Sequence, residues 1–266
     1  MKKIVCLILS VLFVVCVTAS STAKTNQEIV LGIVSDMSNM DDQCSGAPQQ
    51  IANGTYRLVE MLSVIAMEVD VDGSSYSKIS DVLDRMNTNN SQCKGADQQT
   101  ANGLYRCVEL LTIIAYSLDT DGSSRDIIRS VLSDLETNDN LCESAPQQTA
   151  NGIYRAVEMM AVIALEMDAS GLYSDMVTNV LDIMSSNNDK CESAPQQLAN
   201  GWYRMVEMAT ITAYIVDTDA SSTTLMDDIT TDFDTNNSRC KSAPQQSANG
   251  AYRTVEMMAI VALELR

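Results

Sequence analysis

The sequence predicts an all-α fold: a tandem array of five 49-residue two-helix repeats, stacked as a solenoid or an elongated helical bundle. Three observations predict it. Cys44, Cys93, Cys142, Cys191 and Cys240 follow one another at intervals of 49 residues, and the text around them recurs, as in "CSGAPQQIANGTYRLVEM" and "CKGADQQTANGLYRCVEL". Fixed-period self-similarity of this kind marks a repeat architecture. Each copy holds two stretches with apolar residues at helical spacing, and neither alternates as a strand does. The connections ("VDGSS", "TDGSS", "ASGL", "TDASS") are short turns, so successive helices should be antiparallel neighbours.

Residues 1–23 read as a secretory signal peptide. Lys2 and Lys3 precede an apolar run, Ile4 to Val17, and small residues offer cleavage after Ala19 or Ala23. The run is about 14 residues, short of the roughly 20 that span a bilayer. No later segment is a candidate span, and the closing "ALELR" is no lipid-anchor tail. The expected location is therefore secreted and extracellular, with no membrane partner. The repeats follow as 24–70, 71–119, 120–168, 169–217 and 218–266, one continuous helical domain over 24–266.

The shorter stretch of each repeat is a helix. "SSYSKISDVLDRM" puts Tyr76, Ile79, Val82, Leu83 and Met86 on one face, matched by Ile128, Val131, Leu132 and Leu135 and by Val30, Ile33, Val34 and Met37. Ser74, Ser75, Ser123 and Ser124 are placed to cap its start. A polar loop then runs to the repeated cysteine.

The longer stretch, "APQQTANGIYRAVEMMAVIALEMD" in the third copy, is also a helix, with Pro146 in its first turn. Asn-Gly inside it resembles a hairpin turn. Yet Ala150, Tyr154, Val157, Ala161 and Ala164 keep one helical face through Asn151-Gly152 without a phase change. The reading is a continuous helix. Its interior glycine costs roughly 1 kcal/mol relative to Ala, and close approach of a neighbouring helix explains it. The small residues Ala52 and Ala66, with their equivalents, point the same way.

A polar stripe recurs on the longer helices: Gln49, Asn53, Arg57 and Glu60; Gln98, Asn102, Arg106 and Glu109; Gln147, Asn151, Arg155 and Glu158; Gln196, Asn200, Arg204 and Glu207; Gln245, Asn249, Arg253 and Glu256. It is either a ladder joining the repeats or a surface for a repetitive ligand. The terminal copies keep it too. An open array that stacks on other molecules would explain that, whereas capping repeats of a closed monomer are usually modified.

The chemistry-bearing residues are few. Histidine is absent, which removes the commonest general base and metal ligand. Without Lys2 and Lys3, 15 basic residues face 35 acidic ones, which argues against nucleic acid and anionic membranes as partners. Six cysteines remain after the leader. Cys107 stands where other repeats have Leu58, Ala156, Met205 and Thr254, so it reads as a buried apolar residue. The five repeated cysteines are candidates for disulfides or inter-chain cross-links. Bridges between neighbouring copies are not expected, since packed helices lie about 9–10 Å apart and a disulfide needs Cα atoms within about 7 Å. "DVDGSS" and "DTDGSS" resemble a calcium loop but lack its closing Glu, so no metal is assigned. Sequons occur at Asn53, Asn89 and Asn236; Asn89 and Asn236 lie in polar loops and are glycosylation candidates, whereas Asn53 lies inside the longer helix and is not expected to be modified.

No nucleophile–base pair, phosphate loop or cofactor motif stands out, so neither an enzyme nor a cofactor is expected. The leading expectation is a secreted structural or assembly component of an extracellular material: matrix, silk, mucus, glue or coat. Its partners are then further copies or other extracellular structural proteins. One alternative is a carrier of apolar small molecules or lipids in a cavity lined by Met159, Met160, Met167 and Met208. The other is a solenoid that binds a glycan or protein along the stripe.

Overall fold

A computed structural model of the chain describes residues 25–265. The segment read as a signal peptide, residues 1–23, lies outside the described residues. Among these there are ten α-helices and no strand: α1 (Asn26–Asp41), α2 (Ala47–Val69), α3 (Tyr76–Asn90), α4 (Ala96–Leu118), α5 (Arg125–Asp139), α6 (Ala145–Met167), α7 (Ser174–Asn188), α8 (Ala194–Val216), α9 (Thr223–Arg239) and α10 (Ala243–Glu264). None is long and apolar enough to cross a membrane.

The long even-numbered helices pack in the order α2–α4–α6–α8–α10, and α10 packs back on α2. Each odd-numbered helix lies against the long helix that follows it and also touches the one before, with α1 reaching α10. The result is a closed ring of five parallel long helices, clad by five short antiparallel ones. This corrects the expectation of a solenoid or elongated bundle. It also removes the argument from unmodified terminal repeats: the first and last copies cover each other's ends, so neither needs a polar cap.

Asn-Gly lies inside an unbroken helix in each long helix, and sterics show why glycine is kept. A Cβ on Gly103 would stand 2.6 Å from Thr55 Cγ2 and 3.1 Å from the Tyr56 ring. At the closing joint, one on Gly54 would stand 2.8 Å from Ala251 Cβ and 2.9 Å from Tyr252 Cδ1. Ala66 and its equivalents Ala115, Ala164, Ala213 and Ala262 are fully buried, so the long helices meet through small side chains.

Another face of each long helix varies between copies yet stays buried. At one level stand Thr55, Leu104, Ile153, Trp202 and Ala251; at the next, Leu58, Cys107, Ala156, Met205 and Thr254. Thr55, Leu104, Ile153, Trp202 and Ala251 each stand against the glycine of the next long helix, so the glycine leaves room for side chains of quite different size. Met159, Met160 and Met208 are likewise fully buried core residues.

The short helices bury the expected apolar face: Val30, Ile33 and Met37 in α1, and Ile79, Val82 and Met86 in α3. Tyr76 departs from it, sitting exposed in the first turn of α3. The serines depart too, since Ser75 and Ser124 make no side-chain cap. Instead, the aspartate that follows each of four long helices accepts from the backbone N–H of the residue just before the next short helix. Ser75 N donates to Asp70 at 2.9 Å and Tyr173 N to Asp168 at 2.8 Å. A carboxylate so placed complements the positive end of the short helix.

Candidate functional site

The polar residues repeated in every copy meet at the joints between long helices. The short helices α1, α3, α5 and α7 each present an acceptor in their last turn: Asp41, Asn90, Asp139 and Asn188. The tyrosine of the preceding long helix donates to it. Tyr252 Oη reaches Asp41 Oδ1 at 2.7 Å and Tyr154 Oη reaches Asn188 Oδ1 at 3.0 Å, with Tyr56–Asn90 and Tyr105–Asp139 equivalent. The same oxygen accepts from a glutamine of the following long helix: Gln50 at 2.7 Å, Gln99 at 3.0 Å, Gln148 at 3.1 Å and Gln197 at 3.0 Å.

The stripe asparagines complete the joint. Asn53, Asn102, Asn151, Asn200 and Asn249 donate to the backbone carbonyls of Met37, Met86, Leu135, Met184 and Phe233 at 2.9–3.1 Å. Asn53 also donates to Tyr252 Oη and Asn200 to Tyr154 Oη, both at 3.1 Å. Burial pushes the tyrosine hydroxyls up, Tyr154 to about 12, so they remain donors.

The joint between α8 and α10 is built differently. Phe233 stands where the other short helices carry Met or Leu, and the Tyr203 ring meets it edge-on at 4.7 Å between centroids. Asn237 Oδ1 is left without a hydrogen bond. Here an aromatic contact takes the place of the polar one.

The stripe therefore divides into three parts. Gln49, Gln98, Gln147, Gln196 and Gln245 fold back on their own helix starts, each accepting from the backbone N–H four residues earlier at 2.6–2.7 Å. Arg57, Arg106, Arg155, Arg204 and Arg253 pair with Glu60, Glu109, Glu158, Glu207 and Glu256 one turn on, at 2.6–2.8 Å. Arg85 of α3 adds a contact to Glu109 at 2.7 Å. Burial outweighs the arginine at Glu60, Glu158, Glu207 and Glu256 and raises their pKa values. The asparagines bridge helices in every copy, and Arg57, Arg155 and Arg253 add longer contacts to Asp36, Asp134 and Asp232 of the preceding short helices at 3.4–3.9 Å. The residues that the stripe did not include are the joint tyrosines, the second glutamine of "QQ", and the Asn/Asp ending the short helix. Their signal was present in the recurrence of "QQ" and "YR" in every copy.

Comparison with known protein families, with curated proteins and with solved structures finds no match.

The remaining candidates are also placed. Cys44, Cys93, Cys142, Cys191 and Cys240 lie partly buried before the long helices, each Sγ donating to the carbonyl four residues earlier at 3.2–3.4 Å. Burial raises the thiol pKa of the last four, which lowers their thiolate fraction. Cys107 is fully buried. Carboxylate oxygens of Asp217, Asp219 and Glu264 lie within 4.8 Å of one another. Glu264 reaches the two aspartates from the last turn of α10. Ser222 N and Thr223 Oγ1 occupy Asp217, and Ser222 Oγ occupies Glu264. An open depression of about 330 Å³ lies at the starts of α2, α4 and α6, lined by Pro48, Gly95, Ala96, Asp97, Gln98 and Ala145.

Proposed function

We propose that the chain is a secreted, non-catalytic structural component of an extracellular material, built as five two-helix repeats closed into a rigid ring. One observation carries this reading. The asparagines, arginines and glutamates repeated in every copy are engaged within the fold: the asparagines with the short helix before their own, the arginines with glutamates of their own helix. Selection for a ligand would leave a repeated group facing solvent. Selection for a stiff, self-consistent shape leaves this pattern. Of the methionines that the carrier reading names, Met159, Met160 and Met208 are fully buried and Met167 is half-buried. Binding of a glycan or protein has one observation in its favour, the depression at the long-helix starts.

Assembly then runs through the outer surface, because ring closure consumes the repeat ends. Sedimentation of the secreted protein over a wide concentration range, with non-reducing gels, tests this. Reversible or disulfide-linked oligomers at high concentration are expected. A monomer at every concentration, with a glycan, protein or lipid co-purifying, overturns the proposal in favour of a binding role.

A further inference from the structure

We propose that Asn89 and Asn236 carry N-linked oligosaccharides and that Asn53 does not. The inference rests on the secretion reading above. All three head Asn-X-Ser/Thr sequons, and the fold separates them.

Asn53 is 8% exposed and occupies the joint that closes the ring. Its Nδ2 donates both protons, to Met37 O at 2.9 Å and to Tyr252 Oη at 3.1 Å. A glycan on that nitrogen would replace a proton that ties α2 to α1 or to α10, and the sugar would have no room between these helices. Asn89 and Asn236 hold one equivalent position in the last turns of α3 and α9. Asn89 is exposed and Asn236 half-exposed. Their carbonyls take the Sγ of Cys93 and Cys240, while neither side-chain amide makes a hydrogen bond to described residues. In α3 the polar joint is served by the neighbour, Asn90. Position 89 is thus spare, and a substituent there touches no joint.

The donor is a lipid-pyrophosphate-linked oligosaccharide. The asparagine Nδ2 attacks C1 of its first sugar, the N–C1 bond forms and the C1–O bond breaks. The lipid pyrophosphate leaves with the electron pair, and one proton leaves Nδ2. Both glycans then project from the end of the ring where the long helices start, and the acidic turns at the other end stay bare.

The test is secretion of the full chain from a eukaryotic cell line, followed by intact mass and peptide mapping before and after enzymatic deglycosylation. Two modified sites are expected, Asn89 and Asn236. N89Q and N236Q should each remove one glycan with the thermal midpoint unchanged, and N53Q should lower the midpoint while both glycans remain. A glycan on Asn53, or secreted protein without sugar on Asn89 and Asn236, overturns the proposal. The same chain behind an unrelated cleavable leader separates the two readings. Failure with the native leader alone counts against secretion, while bare asparagines with the substituted leader count against glycosylation.

Discussion

Removing one oxygen tests whether the ring closes. Tyr252 Oη has both of its partners across the closing joint, donating to Asp41 at 2.7 Å and accepting from Asn53 at 3.1 Å. Tyr154 Oη makes the same pair of bonds across an interior joint, to Asn188 at 3.0 Å and from Asn200 at 3.1 Å. A neutral hydrogen bond contributes about 1 kcal/mol net and one to a charged group about 1.5–3 kcal/mol. Tyr154→Phe should therefore cost about 2 kcal/mol and Tyr252→Phe about 3 kcal/mol. For a domain of this size, 1 kcal/mol moves the thermal midpoint by about 2–4 °C. The expected losses, read by circular dichroism or calorimetry, are about 4–8 °C for Tyr154→Phe and about 6–12 °C for Tyr252→Phe. In an open array the Tyr252 hydroxyl would face water, and its loss would cost nothing. A Tyr252→Phe midpoint within 1 °C of wild type, beside a clear loss for Tyr154→Phe, would refute ring closure.

Other outcomes follow from the same geometry. Because α1 packs on α10, a circular permutant with 265 linked to 25 and new ends in the turn after α4 should fold with a midpoint within a few degrees; an unfolded permutant at several different turns would show that the termini do not meet. Gly103→Ala should destabilise by up to about 2 kcal/mol, since overpacking against Thr55 outweighs the helix-propensity gain. Gly32→Ala in α1, with nothing within 4 Å of the new methyl, should stabilise by about 0.5–1 kcal/mol, and equal effects at both positions would contradict the close approach. The raised pKa values of Glu60, Glu158, Glu207 and Glu256 mean that the folded state holds their protons more tightly. Their stabilising effect is complete below the unfolded glutamate pKa and is lost as pH rises through the folded values. Asp72, Asp121 and Asp219 are held low by serine donors, and their contribution is lost as pH falls through their folded values. The midpoint should therefore climb as pH falls from neutral toward the unfolded glutamate pKa and drop under strong acid. A flat or falling profile on that approach would count against buried glutamates. Alkylation of native protein should reach Cys93, Cys142, Cys191 and Cys240 slowly and spare Cys107 until unfolding, with labelling mapped by mass spectrometry.

Much of the local structure was legible in the sequence. The helical face through Ala150, Tyr154, Val157, Ala161 and Ala164 identified one uninterrupted helix, and α6 runs unbroken from Ala145 to Met167. The glycine's meaning was also legible, because only a close neighbour justifies its repeated cost. The stripe was legible as a pattern and misleading as a unit. Helical spacing sets Gln147, Asn151, Arg155 and Glu158 along one side of α6, but it does not say whether each group turns to its own backbone, its own helix or the next one. Those choices depend on what stands opposite. Tyr154 illustrates the limit: it read as an apolar position, and its hydroxyl proves to be the hinge of a joint.

The amino-acid order by itself determined ten helices, their turns and their small-residue contacts, because these depend on groups a few residues apart. Ring closure is a property of the angle between neighbours. Each joint adds a rotation that no single repeat encodes in its composition, and only the sum over five joints brings α10 onto α2. The tertiary structure also decided what each repeated glycine faces. Thr55, Leu104, Ile153, Trp202 and Ala251 differ from copy to copy, and each stands against the glycine of the next long helix, a partner in another copy that local spacing does not reveal.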